Sequence, residues 1–187
     1  MHNVFALLFC VFAPFVVTGQ HLQLRTTTSW HPERSISLEL NTTGSRLELQ
    51  SPLVHSTWIQ ETGTANIQYT QATQGQPAQT MLLDPAYVRP LLTPPAVADV
   101  QITDETRPEG AFTAHKVLFR HNGHPATAWI VPSLDTLLPA TLISAAMPEY
   151  QYYLQVDGAP GIVTYFETTH PQTGAPISIR TEILPIP

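Results

Sequence analysis

The 187-residue chain has one cysteine, Cys10, one lysine, Lys116, and 12% charged residues, about half the usual charged share. A single thiol excludes an intrachain disulfide, and no disulfide-linked partner is expected. Cys10 also falls in a segment read below as removed on export, which takes away thiolate catalysis and any cysteine-based zinc centre. Eight Lys and Arg stand against fourteen Asp and Glu, a net charge of −6 with no basic run. Nucleic acid and anionic membrane surfaces are therefore poor partners. Catalytic signatures are missing as well: there is no Gly-x-Ser-x-Gly, no Ser-x-x-Lys and no phosphate-cradling glycine loop. Nothing calls for a cofactor.

One hydrophobic run exists, Val4 to Val17, interrupted by Pro14 and followed by a Thr18-Gly19 break. It is shorter than the ~20 apolar residues a membrane-spanning helix needs. Its length suits the apolar core of a secretory signal, with cleavage expected between Gly19 and Gln20. The expected organisation is a signal peptide at 1–19 and a single domain at 20–187, periplasmic or secreted. An exported chain without cysteines fits a bacterial periplasm better than the disulfide-stapled small domains of animals. Asn41-Thr42-Thr43 would be a glycosylation sequon in a eukaryotic secretory pathway.

What the sequence has in quantity is proline, 18 residues, and period-two alternation. Prolines deny most segments the uninterrupted length of a helix. Leu22, Leu24, Thr26, Thr28 and Trp30 share one face; Ile36, Leu38 and Leu40 alternate with polar residues; Leu47 and Leu49 resume after the Gly44-Ser45 turn. These runs predict an antiparallel meander with one apolar face. Further strands are expected at 54–59, 66–71 and 80–83. Residues 84–108 are proline-rich and read as a long connection with a strand fragment at Val100 and Ile102. Asn122-Gly123, between 115–120 and 126–131, is a strong hairpin signal, because a type I′ turn requires positive φ at both central positions. Residues 137–147 read as a strand, with a short helix as the alternative. "EYQYYLQVD", "IVTYFETT" and "ISIRTEIL" read as strands. The expected fold is all-β: one strongly curved antiparallel sheet.

The stretch "ATAWIVPSLDTLLPATL", an aromatic-containing strand, a Pro/Asp connection and a Leu-Pro step, resembles the tail of the periplasmic lipoprotein-carrier-like (LolA/LolB-like) half-barrels and related exported domains. Residues 115–184 carry the likeness. The resemblance implies an incomplete barrel whose concave apolar face holds an acyl chain or other hydrophobic ligand. The residues that would line that face here are Trp30, Leu38, Leu40, Leu47, Leu49, Trp58, Trp129, Ile143, Tyr153 and Tyr165, with the 84–108 connection over the mouth.

His121 and His124 flank the Asn-Gly turn and should oppose each other across the hairpin with Cβ atoms about 5 Å apart. Two imidazoles so placed suit Zn²⁺ or Cu²⁺. They equally suit a solvated hairpin tip. His115 shares the face of His121 but stands about 20 Å away at ~3.3 Å per residue, outside any common site. Carboxylates are dispersed, and Asp104 and Glu105 point to opposite strand faces, so no paired-carboxylate centre is expected. Tyr150 and Tyr152 share a face of the predicted strand with Tyr153 on the other, as core or as ligand lining.

Three functions follow as expectations. The first is a non-enzymatic binding protein for a lipid, an acylated protein or another amphipathic ligand. The second is an envelope module that binds a protein partner and no small ligand. The third is a metal-binding protein or metal-dependent enzyme using His121 and His124.

Overall fold

The computed structural model describes residues 22–84, 95–147, 150, 153–170 and 172–185. The expected signal segment and residues 85–94 of the proline-rich connection lie outside the described residues.

Eleven strands form one antiparallel sheet: β1 (Leu22–Thr28), β2 (His31–Asn41), β3 (Gly44–Gln50), β4 (Val54–Glu61), β5 (Ile67–Thr73), β6 (Gln79–Leu83), β7 (Val97–Glu109), β8 (Phe112–His121), β9 (His124–Val131), β10 (Ile162–Thr169) and β11 (Pro176–Pro185). Their spatial order is β6-β5-β4-β3-β2-β1-β11-β10-β9-β8-β7. Short antiparallel turns keep sequential strands adjacent, so β1 to β6 form a meander running outward from the centre, and β7 to β11 form a second running back. The two meet where β1 pairs with β11, from Leu22↔Pro185 to Thr28↔Ile179. The sheet stays open, with β6 and β7 as its edges. All-β class and a curved, unclosed sheet are what the sequence leads one to expect.

Alternation selects the inner face. Leu24, Leu38, Leu47 and Trp58 lie in register across β1 to β4, and the three leucines are completely buried. Each such side chain contributes about 1.5–3 kcal/mol relative to remaining exposed. Beyond the central seam the same face carries Thr28, Ile179, Phe166, Ala128 and Val117, again in register. The strand glutamates Glu39, Glu48, Glu167 and Glu182 alternate onto the opposite, outer face, where water solvates them.

The inner face is covered by the segment between β9 and β10, while the described end of the 84–108 connection, from residue 97 on, forms edge strand β7. A 3₁₀ turn (Pro132–Leu137) leads into α1 (Ala140–Ala146). Leu142 and Ile143 are buried in the core formed with Leu38 and Leu47. The strand reading of 137–147 thus gives way to its helical alternative: Ala140, Ala145 and Ala146 carry high helix propensity, and Pro139 stands at the N-cap, where a missing N–H costs little. The strand reading of "EYQYYLQVD" also fails at its described residues. Residues 150, 153 and 154 are helical, and Tyr150 and Leu154, both buried, have the i, i+4 spacing of one helical face.

The strand fragment at Val100 and Ile102 belongs to a 13-residue edge strand, β7. Pro108 is tolerated there because an edge strand has one side with no ladder bond to lose. Register shifts at 98–101 and 102–106, with Asp99 at φ 54°, bulge this edge.

Candidate functional site

The inner face is not filled. Between β1 to β5 and the covering segment lies a cavity of about 580 Å³, bounded by Trp58 and Tyr69 on the sheet, Met147, Tyr150 and Tyr153 from the cover, and Arg34 and His31 on β2. Trp58 and Tyr69 face each other across β4 and β5 and stack with ring centroids 5.0 Å apart. That pair gives the cavity a flat aromatic floor. A second cavity of about 410 Å³ is bounded by His121, His124, Phe166, Thr168 and His170. Trp30 and Tyr153 line both cavities. Their edge-on contact, centroids 6.0 Å apart, forms the partition between them.

Polar side chains at the first cavity include Thr26, Thr28, Ser56 and Gln71 beside Arg34 and His31. The Tyr150 hydroxyl lies 2.6 Å from Thr26 Oγ1, which lies 2.8 Å from Thr181 Oγ1. Burial pushes the Tyr150 hydroxyl well above its ordinary pKa, and the bond to Thr26 opposes the shift less strongly. This phenol stays protonated and serves as a fixed hydrogen-bonding group.

Of the residues expected to line the ligand face, Trp30, Leu49, Trp58 and Tyr153 do border a cavity. Leu38, Leu40, Leu47 and Ile143 are spent in the packed core. Trp129 and Tyr165 are not brought to the cavities. Their register, Lys116↔Trp129 and Tyr165↔Trp129, gives them the parity opposite to Ala128 and Phe166, and Trp129 packs against the core that holds Val131 and Ile162. The Arg107 guanidinium lies 4.6 Å from the Trp129 ring centroid and 5.7 Å from that of Tyr165, and pairs with Glu109. Tyr165 donates to Glu167 Oε2 at 2.5 Å, and that bond, followed by burial, raises the pKa of its hydroxyl. Sequence reasoning missed Tyr69 and Met147 as cavity residues and left Tyr150 open between core and ligand lining. Tyr69 was legible in principle, since it shares its strand face with Ile67; Met147 and Tyr150 depend on the path of the cover.

His121 and His124 do pair directly across the turn, with Asn122 at φ 51° and Gly123 at φ 82° as the type I′ geometry demands. His121 packs edge-on against Phe166 at 5.3 Å. Burial first, and then the neighbouring His124, lower its pKa. His170 borders the same cavity, but its Nδ1 accepts from the backbone N–H groups of Gln172 and Thr173 at 3.2 and 3.3 Å. Among the described residues no three His, Cys, Asp or Glu side chains are grouped to hold a metal ion.

Asn122 has a second task. Its Oδ1 accepts from Ala96 N at 2.9 Å, and its own N–H donates to Ala96 O at 2.8 Å. The hairpin tip thereby fixes the start of β7.

Fold and cavities define an open antiparallel sheet with a covered, aromatic-floored inner face. No family model matches the sequence, and no curated protein matches it. Among solved structures, the chain is similar to PNGF-II in its P21 form, with a TM-score of 0.42 and 8% identity over 90% of this chain and 29% of that one. The C2 form gives a TM-score of 0.42 and 9% identity over 90% and 28%. This chain thus spans less than a third of the length of those chains.

Proposed function

We propose that the protein is a non-enzymatic carrier or receptor that holds a hydrophobic or amphipathic molecule against the inner face of its sheet. The observation that carries this reading is the 580 Å³ cavity beside the stacked Trp58 and Tyr69. Its size lies within the ~300–1,000 Å³ range of small-molecule sites, and its lining combines aromatic and apolar walls with polar side chains that include Thr28, Ser56 and Gln71. Export through a signal at 1–19, a single domain at 20–187, a periplasmic or secreted location and kinship with the lipoprotein-carrier-like half-barrels belong to the same proposal. The open curved sheet and the apolar run at Val4 to Val17 support it. The test is mass spectrometry of lipids that co-purify with the natively expressed protein, paired with binding of a neutral naphthylamine dye. A bound lipid displaced by the dye is expected. Protein that carries no lipid and leaves the dye unquenched and unshifted would remove the proposal.

A second reading has its own observation. On the edge strand β6, Met81 and Leu82 are 48% and 68% exposed, a feature of edges that pair with another chain. Under that reading Leu82→Lys abolishes association with an envelope protein while dye binding is unchanged.

A further inference from the structure

Charge is distributed unevenly around the two cavities. The whole chain carries fourteen acidic and eight basic residues, yet among the described residues neither cavity has an Asp or Glu in its lining. The first is bordered by Arg34 and His31, the second by His121, His124 and His170. Strand alternation and a register shift together produce the segregation: Arg34 has the parity of Ile36 and Leu38, whose side chains face inward, the shift between β1 and β2 pairs His31 with Thr28, and Glu39 has the parity opposite to Leu38. A cavity with an aromatic floor, a cation at its rim and no anion among its described lining residues complements a molecule with a hydrocarbon body and a negative end.

Resting on the carrier reading above, we infer that the bound molecule is a long-chain amphiphile with a single carboxylate, its head at Arg34 and His31 and its chain over Trp58 and Tyr69. Arg34 is half-exposed and sits 3.9 Å from Glu33, which also lies 3.3 Å from His31. One guanidinium so placed matches one negative charge. A phosphate monoester carries about −1.5 to −2 near neutral pH, more than this rim offsets with Glu33 beside it. A planar guanidinium also accepts a carboxylate in the two-pronged geometry that makes such bonds strong.

The experiment compares four sixteen-carbon probes in dye displacement on the full chain: hexadecanoate, hexadecanol, hexadecyl phosphate and hexadecyltrimethylammonium. Hexadecanoate is expected to bind about tenfold tighter than the alcohol, the scale of a charge-assisted hydrogen bond, with the phosphate weaker than the carboxylate and the ammonium weakest. Arg34→Gln should bring hexadecanoate to the level of the alcohol and leave the alcohol unchanged. Glu33→Gln should tighten hexadecanoate. Equal binding of acid and alcohol, tighter phosphate or ammonium, or an acid preference that survives Arg34→Gln would each overturn the inference. Failure of all four probes to displace the dye would overturn the carrier reading as well, a different result from a loss of selectivity.

Discussion

The Tyr150 hydroxyl lies 2.6 Å from Thr26 Oγ1 and so ties the cover of the inner face to the central strand β1. Thr26 in turn bonds Thr181 of β11 across the seam between the two meanders. Tyr150 and Thr26 are each only 1% exposed, so no solvent replaces a lost partner. Tyr150→Phe removes one hydrogen bond, about 1 kcal/mol, because Thr26 keeps Thr181. Thr26→Val strands the buried phenol and should cost about 1–3 kcal/mol. Urea titrations of the two variants and the double variant check this; the double variant is expected to cost less than the sum.

Ligand contact and packing away from the cavities separate by substitution. Trp58→Ala takes away the cavity floor and is expected to weaken dye and hexadecanoate binding about tenfold or more, a cost of the order attached to an aromatic contact plus its buried area. Trp129→Ala, at a residue that lines neither cavity, should leave binding unchanged while reducing stability, since Arg107 loses its aromatic platform. Fluorescence titration and thermal unfolding read the two effects independently.

His121 gives the fold a pH dependence with a defined sign. Its folded pKa is below the ordinary 6.5, through burial and then His124. Between the two values the unfolded chain binds more protons, so stability rises with pH through that window. The penalty vanishes above 6.5 and is complete below the folded value. His121→Gln is expected to flatten this part of the profile, read as the difference between parent and variant in urea midpoint from neutral to mildly acidic pH. An unchanged difference across that range would contradict the assignment.

Gly161 precedes β10 at φ 124°. A Cβ there would lie 2.5 Å from Val131 O and 2.7 Å from Ile130 Cγ2. Gly161→Ala combines a backbone strain of about 1–3 kcal/mol with a clash against backbone that has no free space to move into. A lowered melting temperature, larger than that of Gly174→Ala, is the expected outcome. Gly174 also has positive φ, but a Cβ there meets nothing within 4 Å.

The alternation of Leu22, Leu24, Leu38, Leu40 and Leu47 determined the first meander and its buried face, because a period of two leaves a strand one way to turn its apolar side inward. Asn122-Gly123 determined the second hairpin, because only a few residues accept positive φ at both turn positions. Those same local rules misled within 149–157, where "EYQYYLQVD" alternates but Tyr150, Tyr153 and Leu154 are helical. Nothing local distinguishes a tyrosine that packs on a neighbouring strand from one that reaches across to Thr26. Trp129 and Tyr165 show the same limit: aromatic strand residues are equally compatible with either face until the register of β8 to β10 is fixed. The sequence by itself determined strands, turns and the parity of each side chain. The tertiary structure decided which segment covers the sheet, that a cavity remains beneath it, and that Arg34 stands at its rim. Those features depend on contacts between residues more than a hundred positions apart, such as Thr26 and Tyr150, and no local pattern encodes such contacts.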